Sequence, residues 1–266
     1  MLDPDRRLDR SGASVQIYAD DAAACRAVAE GLAAALVAAI SRRGQAVLGL
    51  ATGASPERVY AELVARHRAG QLSFAAAATY NLDEYYPIGP LDPSSYRAYM
   101  HRHLLAHVDL APNRAHVLDG TVPEAFAAEH AAAFDRWVAA DGGLDVQLLG
   151  IGRNGHIGFN EPTALPVAEA LHLPSRLVEL HPVTRADAAA EFGGEDRVPR
   201  RALTVGTATI LAARAILVLA FGRSKAEAVA RSLAGPMTAE VPGSLLQAVP
   251  GKVTWFLDAD AASGLA

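Results

Sequence analysis

The chain has 266 residues, 24 Lys and Arg against 29 Asp and Glu, a net charge of −5, and 51 % hydrophobic residues. It is too apolar for a disordered segment, has no Lys/Arg block to draw a nucleic-acid backbone, and is long enough to bury its own core. The single cysteine, Cys25, cannot close an internal disulfide, which points to a reducing cytoplasm.

The N-terminal stretch MLDPDRRLDRSG mixes both charge signs and lacks the apolar centre of a signal peptide. A strand over 14–18 leads into an Ala-rich helix running to about Arg42. Its most apolar part, 22–40, is broken by Arg26 and Glu30, which argues against a membrane span. A second strand covers 46–51, and a helix starts at Pro56 with Ser55 as its N-cap. A third strand ends over 79–82, residues 94–107 are helical, and a helix over 124–140 precedes a strand at 146–151. A strand at 216–221, a helix from Ser224 and a strand at 253–257 close the set.

These strands are continuous apolar runs, the pattern of a sheet covered on both faces. Their alternation with helices implies an α/β fold: three layers around a mostly parallel, doubly wound, Rossmann-like sheet. The polar, Pro-bearing stretch 162–200 breaks the pattern and reads as a lid insertion or a surface excursion. One domain over 1–266 with that insertion is the expected organisation.

Chemistry concentrates where strands end. Thr52-Gly53-Ala54-Ser55 links a strand to a helix N-terminus, where free N–H groups and the helix dipole favour an anion. No Walker lysine or GxGxxG accompanies it, so a small phosphorylated metabolite fits better than a nucleotide. The same segment also reads as a tight turn with no ligand. Arg185, in the insertion, and Lys225, at a second strand-to-helix junction, are candidate partners for such an anion.

Asn81-Leu82-Asp83-Glu84-Tyr85-Tyr86 places carboxylates after the third strand. Gly150 to Pro162 (GIGRNGHIGFNEP) follows a buried strand with one histidine and one glutamate among glycines. Histidine ordinarily titrates near neutral pH, and Glu161 is placed to orient His156. A metal is the competing reading for the histidines at 101, 103 and 107, but no HExxH motif or third ligand accompanies them, and a packed or solvated helix face fits better.

Taken together, LGLATGASP, NLDEYYPI with SSYRAYMHRHL, LLGIGRNGHIGFNEP, VTR, ALTVG and GRSKA resemble the glucosamine-6-phosphate deaminase family, in the superfamily it shares with 6-phosphogluconolactonases and ribose-5-phosphate isomerases. The resemblance implies a hydrolase of amino-sugar metabolism that turns glucosamine 6-phosphate into fructose 6-phosphate and ammonia. It implies that His156, supported by Asn154 and Glu161, opens the pyranose, that Asp83 moves the C2 proton to C1, and that Gly53, Ala54, Ser55, Arg185 and Lys225 hold the phosphate. No metal or other cofactor is implied. The expected partner is the small sugar phosphate, with no nucleic acid or membrane, in a homo-oligomer.

Four positions depart from the family pattern. Asn154 stands where many members carry Asp, and Ala54 where a second Gly or Ser is frequent. Leu171 and Leu173 replace basic residues of allosterically activated members, which implies no activation by an N-acetylated sugar phosphate. Galactosamine 6-phosphate as substrate, a lactonase and a non-catalytic sugar-phosphate sensor are the alternatives.

Overall fold

Apolar runs buried on both faces set the centre of the molecule. The computed structural model describes residues 3–265, so Met1 and Leu2 of the N-terminal stretch lie outside it. In chain order the elements are β1 (Arg6–Arg10), β2 (Ala13–Tyr18), α1 (Asp21–Arg43), β3 (Ala46–Leu50), α2 (Ala54–Arg68), β4 (Ala77–Asn81), β5 (Asp83–Tyr86), α3 (Tyr96–His103), β6 (Ala115–His116) and α4 (Glu124–Ala140). They continue with β7 (Val146–Gly150), α5 (Val167–Ala170), β8 (Arg176–Glu179), α6 (Pro182–Phe192), β9 (Arg201–Thr204), α7 (Thr207–Ala212), β10 (Ile216–Ala220), α8 (Ala226–Ala234) and β11 (Val253–Asp258).

Eight strands form one sheet in the order β1-β2-β11-β10-β7-β3-β4-β6. All its pairings are parallel except β1 with β2. The chain winds from β3 through β4 to β6, then returns to the other side of β3 at β7 and proceeds to β10 and β11. That reversal makes the sheet doubly wound and leaves a crevice beyond the carboxyl ends of β3 and β7.

Helix α1 shows how the sequence sets its own limits. Asp20 caps it by accepting a 2.7 Å hydrogen bond from the Ala23 N–H, and Gly44 ends it in the left-handed conformation at φ 76°. Although α1 is long and apolar enough to cross a membrane, it buries Ala24, Val28, Leu32 and Leu36 in the main core. Each fully buried leucine is worth roughly 1.5–3 kcal/mol. Cys25 is also buried there, and burial pushes its thiol up to about 12, far from a reactive thiolate.

Several local expectations change. Asp83–Tyr86, expected only to follow the third strand, is a strand itself: β5 pairs antiparallel with β9, which pairs with β8, to make a second, three-stranded sheet. The insertion at 162–200 therefore supplies a strand and the helix α6 to an ordered layer. Helix α2 begins at Ala54 with Gly53 as its cap, so Ser55 is not the N-cap. The helix expected over 94–107 stops at His103 and is followed by a 3-10 turn over Leu105–His107. The helix expected from Ser224 opens as a 3-10 turn over Arg223–Lys225 before α8.

Candidate active site

Strands β10, β7, β3 and β4 are consecutive neighbours in the sheet, and all run parallel. The segments leaving their carboxyl ends therefore meet at one rim: 221–225, 151–161, 51–55 and β5. They enclose a cleft of about 360 Å³. Its lining includes Gly53, Ala54, Ser55, Asp83, Tyr85, Tyr96, His156, Phe159 and Lys225, with Thr184, Asp187 and Glu191 of α6.

The loop after β3 forms one corner. Gly53 has φ 104°, a left-handed value that glycine adopts without strain, and no side chain caps α2 there. The first N–H groups of α2 are thus left for a ligand. Two tyrosines pin the loop: Tyr60 donates to the Ala51 carbonyl, and Tyr99 donates to the Gly53 carbonyl at 2.7 Å. Lys225 comes from the turn after β10, where the Gly222 N–H donates to the Asp258 carboxylate at 2.9 Å. Burial pushes the Lys225 ammonium below its ordinary range; the Asp187 carboxylate draws it back up, and the Arg153 guanidinium pushes it down again.

His156 is held from behind. Its Nδ1 lies 2.8 Å from Asn154 Oδ1, 3.2 Å from Thr184 Oγ1 and 3.4 Å from Glu161 Oε2. Asn154 Nδ2 donates to Glu161 Oε2 at 3.0 Å, so its Oδ1 is the acceptor facing the imidazole. That assignment puts the proton on Nδ1 and leaves Nε2 as the ring nitrogen available to a ligand. Burial alone would raise Glu161, but hydrogen bonds and charge from His156, with further bonds from Thr184 and Asn154, hold it down at about 2. The neutral Asn154 thus relays an ionised carboxylate to the ring.

Asp83 opens β5 and is only 5 % exposed. Burial, with the Glu84 charge beside it, pushes its carboxyl up to about 8. Glu84 is buried too, and burial lifts it to about 7. It accepts backbone N–H bonds from Tyr85 at 3.0 Å, Tyr96 at 2.8 Å and Arg97 at 2.9 Å, the last two at the start of α3. Among the described residues no backbone N–H donates to the Asp83 carboxyl, so Glu84 is the partner that ionises first and Asp83 the one that keeps a proton.

Of the residues singled out from sequence, Gly53, Ala54, Ser55, Asp83, His156 and Lys225 share the cleft, and Asn154 and Glu161 stand behind His156. Arg185 is not brought to it. Its Nη2 donates to the Glu195 carbonyl at 3.0 Å. Adjacent helix residues point about 100° apart, so with Thr184 turned to the cleft Arg185 is turned aside. Sequence reasoning missed Thr184, Asp187 and Glu191, whose i, i+3, i+7 spacing marks one face of α6. Of the histidines at 101, 103 and 107, His103 packs on the Tyr99 ring and His107 bonds the Arg102 carbonyl.

The family model for glucosamine-6-phosphate isomerases/6-phosphogluconolactonase matches residues 19–255. A glucosamine-6-phosphate deaminase of Rhodopirellula baltica is 47 % identical over 228 residues, 86 % of this chain and 88 % of that protein. One of Bacillus velezensis is 44 % identical over 237 residues, 89 % and 95 % of the two. Among solved structures, a monomeric glucosamine-6-phosphate deaminase superposes with a TM-score of 0.86 at 37 % identity, covering 94 % of this chain and 99 % of its own. A 6-phosphogluconolactonase of Trypanosoma brucei shares the fold, with a TM-score of 0.76 at 21 % identity over 95 % and 98 %. One expectation is corrected here: the relatives are named as glucosamine-6-phosphate deaminases and the family as isomerases of that sugar phosphate, not as the hydrolase that the resemblance implied. A doubly wound sheet, a cleft at its switch point and relatives matching nearly end to end agree, and the chain belongs to the glucosamine-6-phosphate isomerase/6-phosphogluconolactonase family.

Proposed function

We propose that Asp83 and His156 divide between them the proton transfers that convert glucosamine 6-phosphate to fructose 6-phosphate and ammonia. The chain is a glucosamine-6-phosphate deaminase, and the observation that carries its mechanism is a buried carboxyl near pKa 8 sharing one cleft with a tautomer-fixed imidazole. His156 Nε2 takes the proton of the anomeric hydroxyl and returns it to the ring oxygen as the C1–O5 bond breaks, leaving the open aldehyde. Asp83 then removes the C2 proton while a water molecule gives a proton to O1, forming an enolamine. Asp83 delivers its proton to C1, C2 becomes an iminium, and the hydroxide left from that water adds there as ammonia leaves and the C2 carbonyl forms. A base with a pKa near the working pH suits the C2 step.

The phosphate is held by the N–H groups of the Gly53–Ser55 loop and by Lys225, so binding energy far from C2 orients the reacting carbons. Arg185 joins this set only if α6 turns, which fits the proposal that 162–200 acts as a mobile lid within a single domain. Each step is completed by side chains and water, so no cofactor is assigned. The enzyme is assigned to the cytoplasm, with the sugar phosphate as its partner and neither nucleic acid nor membrane. It is expected to assemble as a homo-oligomer, against which stands the relative described as monomeric; light scattering on the purified protein decides.

Ammonia and fructose 6-phosphate release is the test, with galactosamine 6-phosphate and chelator-treated enzyme alongside. Glucosamine-selective release unaffected by chelator supports the reading. Release from the galactosamine epimer alone moves the substrate, and release from neither overturns the activity.

A further inference from the structure

The proton-transfer steps leave one ion pair at the cleft unused. Arg153, the residue before Asn154, clasps Asp187 of α6 with two nitrogens. Its Nε lies 2.8 Å from Oδ1 and 3.0 Å from Oδ2, and its Nη2 donates to Oδ1 as well. Asp187 lines the cleft together with Lys225, and the charges of both Arg153 and Asp187 are felt at Lys225. Asp187 and Lys225 therefore stand in the cleft lining, and the Arg153 guanidinium, itself outside that lining, is held beside them by Asp187.

A carboxylate bound through the planar edge of a guanidinium presents the same two-oxygen face that a phosphate presents. The Asp187 carboxylate carries one charge; a sugar phosphate carries nearly two at neutral pH. The pair is substantially exposed, at 45 % and 35 % for the two side chains, and such pairs contribute little to the fold. Giving it up for a more highly charged partner is therefore a small sacrifice. Because Asp187 faces the cleft, its carboxylate also repels whatever anion Lys225 attracts.

We propose that Arg153 is a phosphate-binding residue for the substrate, held in waiting by Asp187, and that the substrate's phosphate takes its guanidinium over on binding. This rests on the reading of Lys225 and the Gly53–Ser55 loop as the phosphate end. It assigns the two members of one ion pair opposite effects. Arg153 contributes affinity for the anion, and Asp187 withholds it. A pair that only fastened α6 to the catalytic loop would show the same effect whichever member was removed.

The experiment measures KM for glucosamine 6-phosphate and the competitive inhibition constant of inorganic phosphate, at low and fixed ionic strength, for the wild type and for Arg153→Gln, Asp187→Asn and Lys225→Met. Removing a charge-assisted bond to phosphate corresponds to roughly a tenfold weakening. Arg153→Gln is expected to raise both constants by about that factor, and Asp187→Asn to lower both severalfold. Same-direction shifts in these two variants, or no shift in either, overturn the exchange while a rise in Lys225→Met leaves the phosphate end in place. Unchanged constants in Lys225→Met overturn the phosphate-end reading, and the exchange with it.

Discussion

Gly152→Ala is a single-methyl test of how tightly His156 must be held. A Cβ added at Gly152 would lie within 2.5 Å of His156 Nε2 and closer still to Cε1 and Nδ1, where ordinary contact begins at 3.4 Å. Gly152 is not among the residues with positive φ, so alanine fits the backbone and the effect is steric. The imidazole is the atom group that has to give way, by about an ångström. That retreat pulls Nδ1 from Asn154 Oδ1, now at 2.8 Å, and moves Nε2 relative to the substrate. A misplacement of about 1 Å at a catalytic group costs on the order of 100-fold in rate, equivalent to roughly 2.7 kcal/mol of barrier. The assay is ammonia release, with thermal unfolding to establish that the variant is folded. Gly89→Ala is the control, because its Cβ meets nothing within 4 Å and its φ is ordinary. If folded Gly152→Ala keeps activity within about threefold of the wild type, the positioned imidazole is not what limits turnover, and the reasoning fails.

Three further expectations follow from the carboxylates and from the insertion. Because Asp83 must be ionised to act as a base and its carboxyl sits at about 8, kcat/KM is expected to climb as pH rises toward that value. Glu84→Gln removes a charge that raises Asp83 and should move the climb to lower pH; a shift to higher pH contradicts the assignment. In stability, the folded pKa of Asp83 lies above its unfolded value of 3.8, so the folded chain keeps a proton that the unfolded chain releases. Stability from this group is present below about pH 4 and lost as pH rises to about 8. Asp83→Asn should therefore gain stability relative to wild type across that window, with a ceiling of roughly 5–6 kcal/mol, as denaturant titrations at pH 4 and 9 would reveal. A gain independent of pH refutes it. Finally, with Leu171 and Leu173 in place of basic residues, N-acetylglucosamine 6-phosphate should leave the rate unchanged, and saturable activation would count against that reading.

The parts of the fold that were legible in the sequence are those that bury both faces. ILVLA of β10 and AVLGL of β3 have no exposed face and announce themselves as apolar runs. DEYY of β5 is equally buried but carries two acids, and only pairing with β9 and donors from α3 make it a strand. Tertiary context overrode local preference there. Helix α6 was obscured for a related reason: its cleft-facing positions are polar, so the usual apolar stripe is missing, and the insertion read as a lid or a surface excursion. In the site, Asp83, His156 and Glu161 were visible because each lies in a short segment tied to the end of a parallel strand. Thr184 and Asp187 were not, since their roles come from contacts with residues about 30 positions away. Arg185 shows the converse: one residue along the helix is enough to turn a side chain away from the cleft.

The most direct test of the central claim follows the C2 hydrogen. Glucosamine 6-phosphate is turned over in heavy water by the wild type and by Asp83→Asn, and deuterium is read at C2 of recovered substrate and at C1 of product. In the wild type the C2 hydrogen is expected to reappear at C1 of the product, with solvent deuterium entering there only as the Asp83 proton exchanges before delivery, and in Asp83→Asn neither C2 exchange nor product is expected while the two anomers still interconvert through His156. Exchange at C2 in Asp83→Asn at a rate near that of the wild type would show that another group removes the proton.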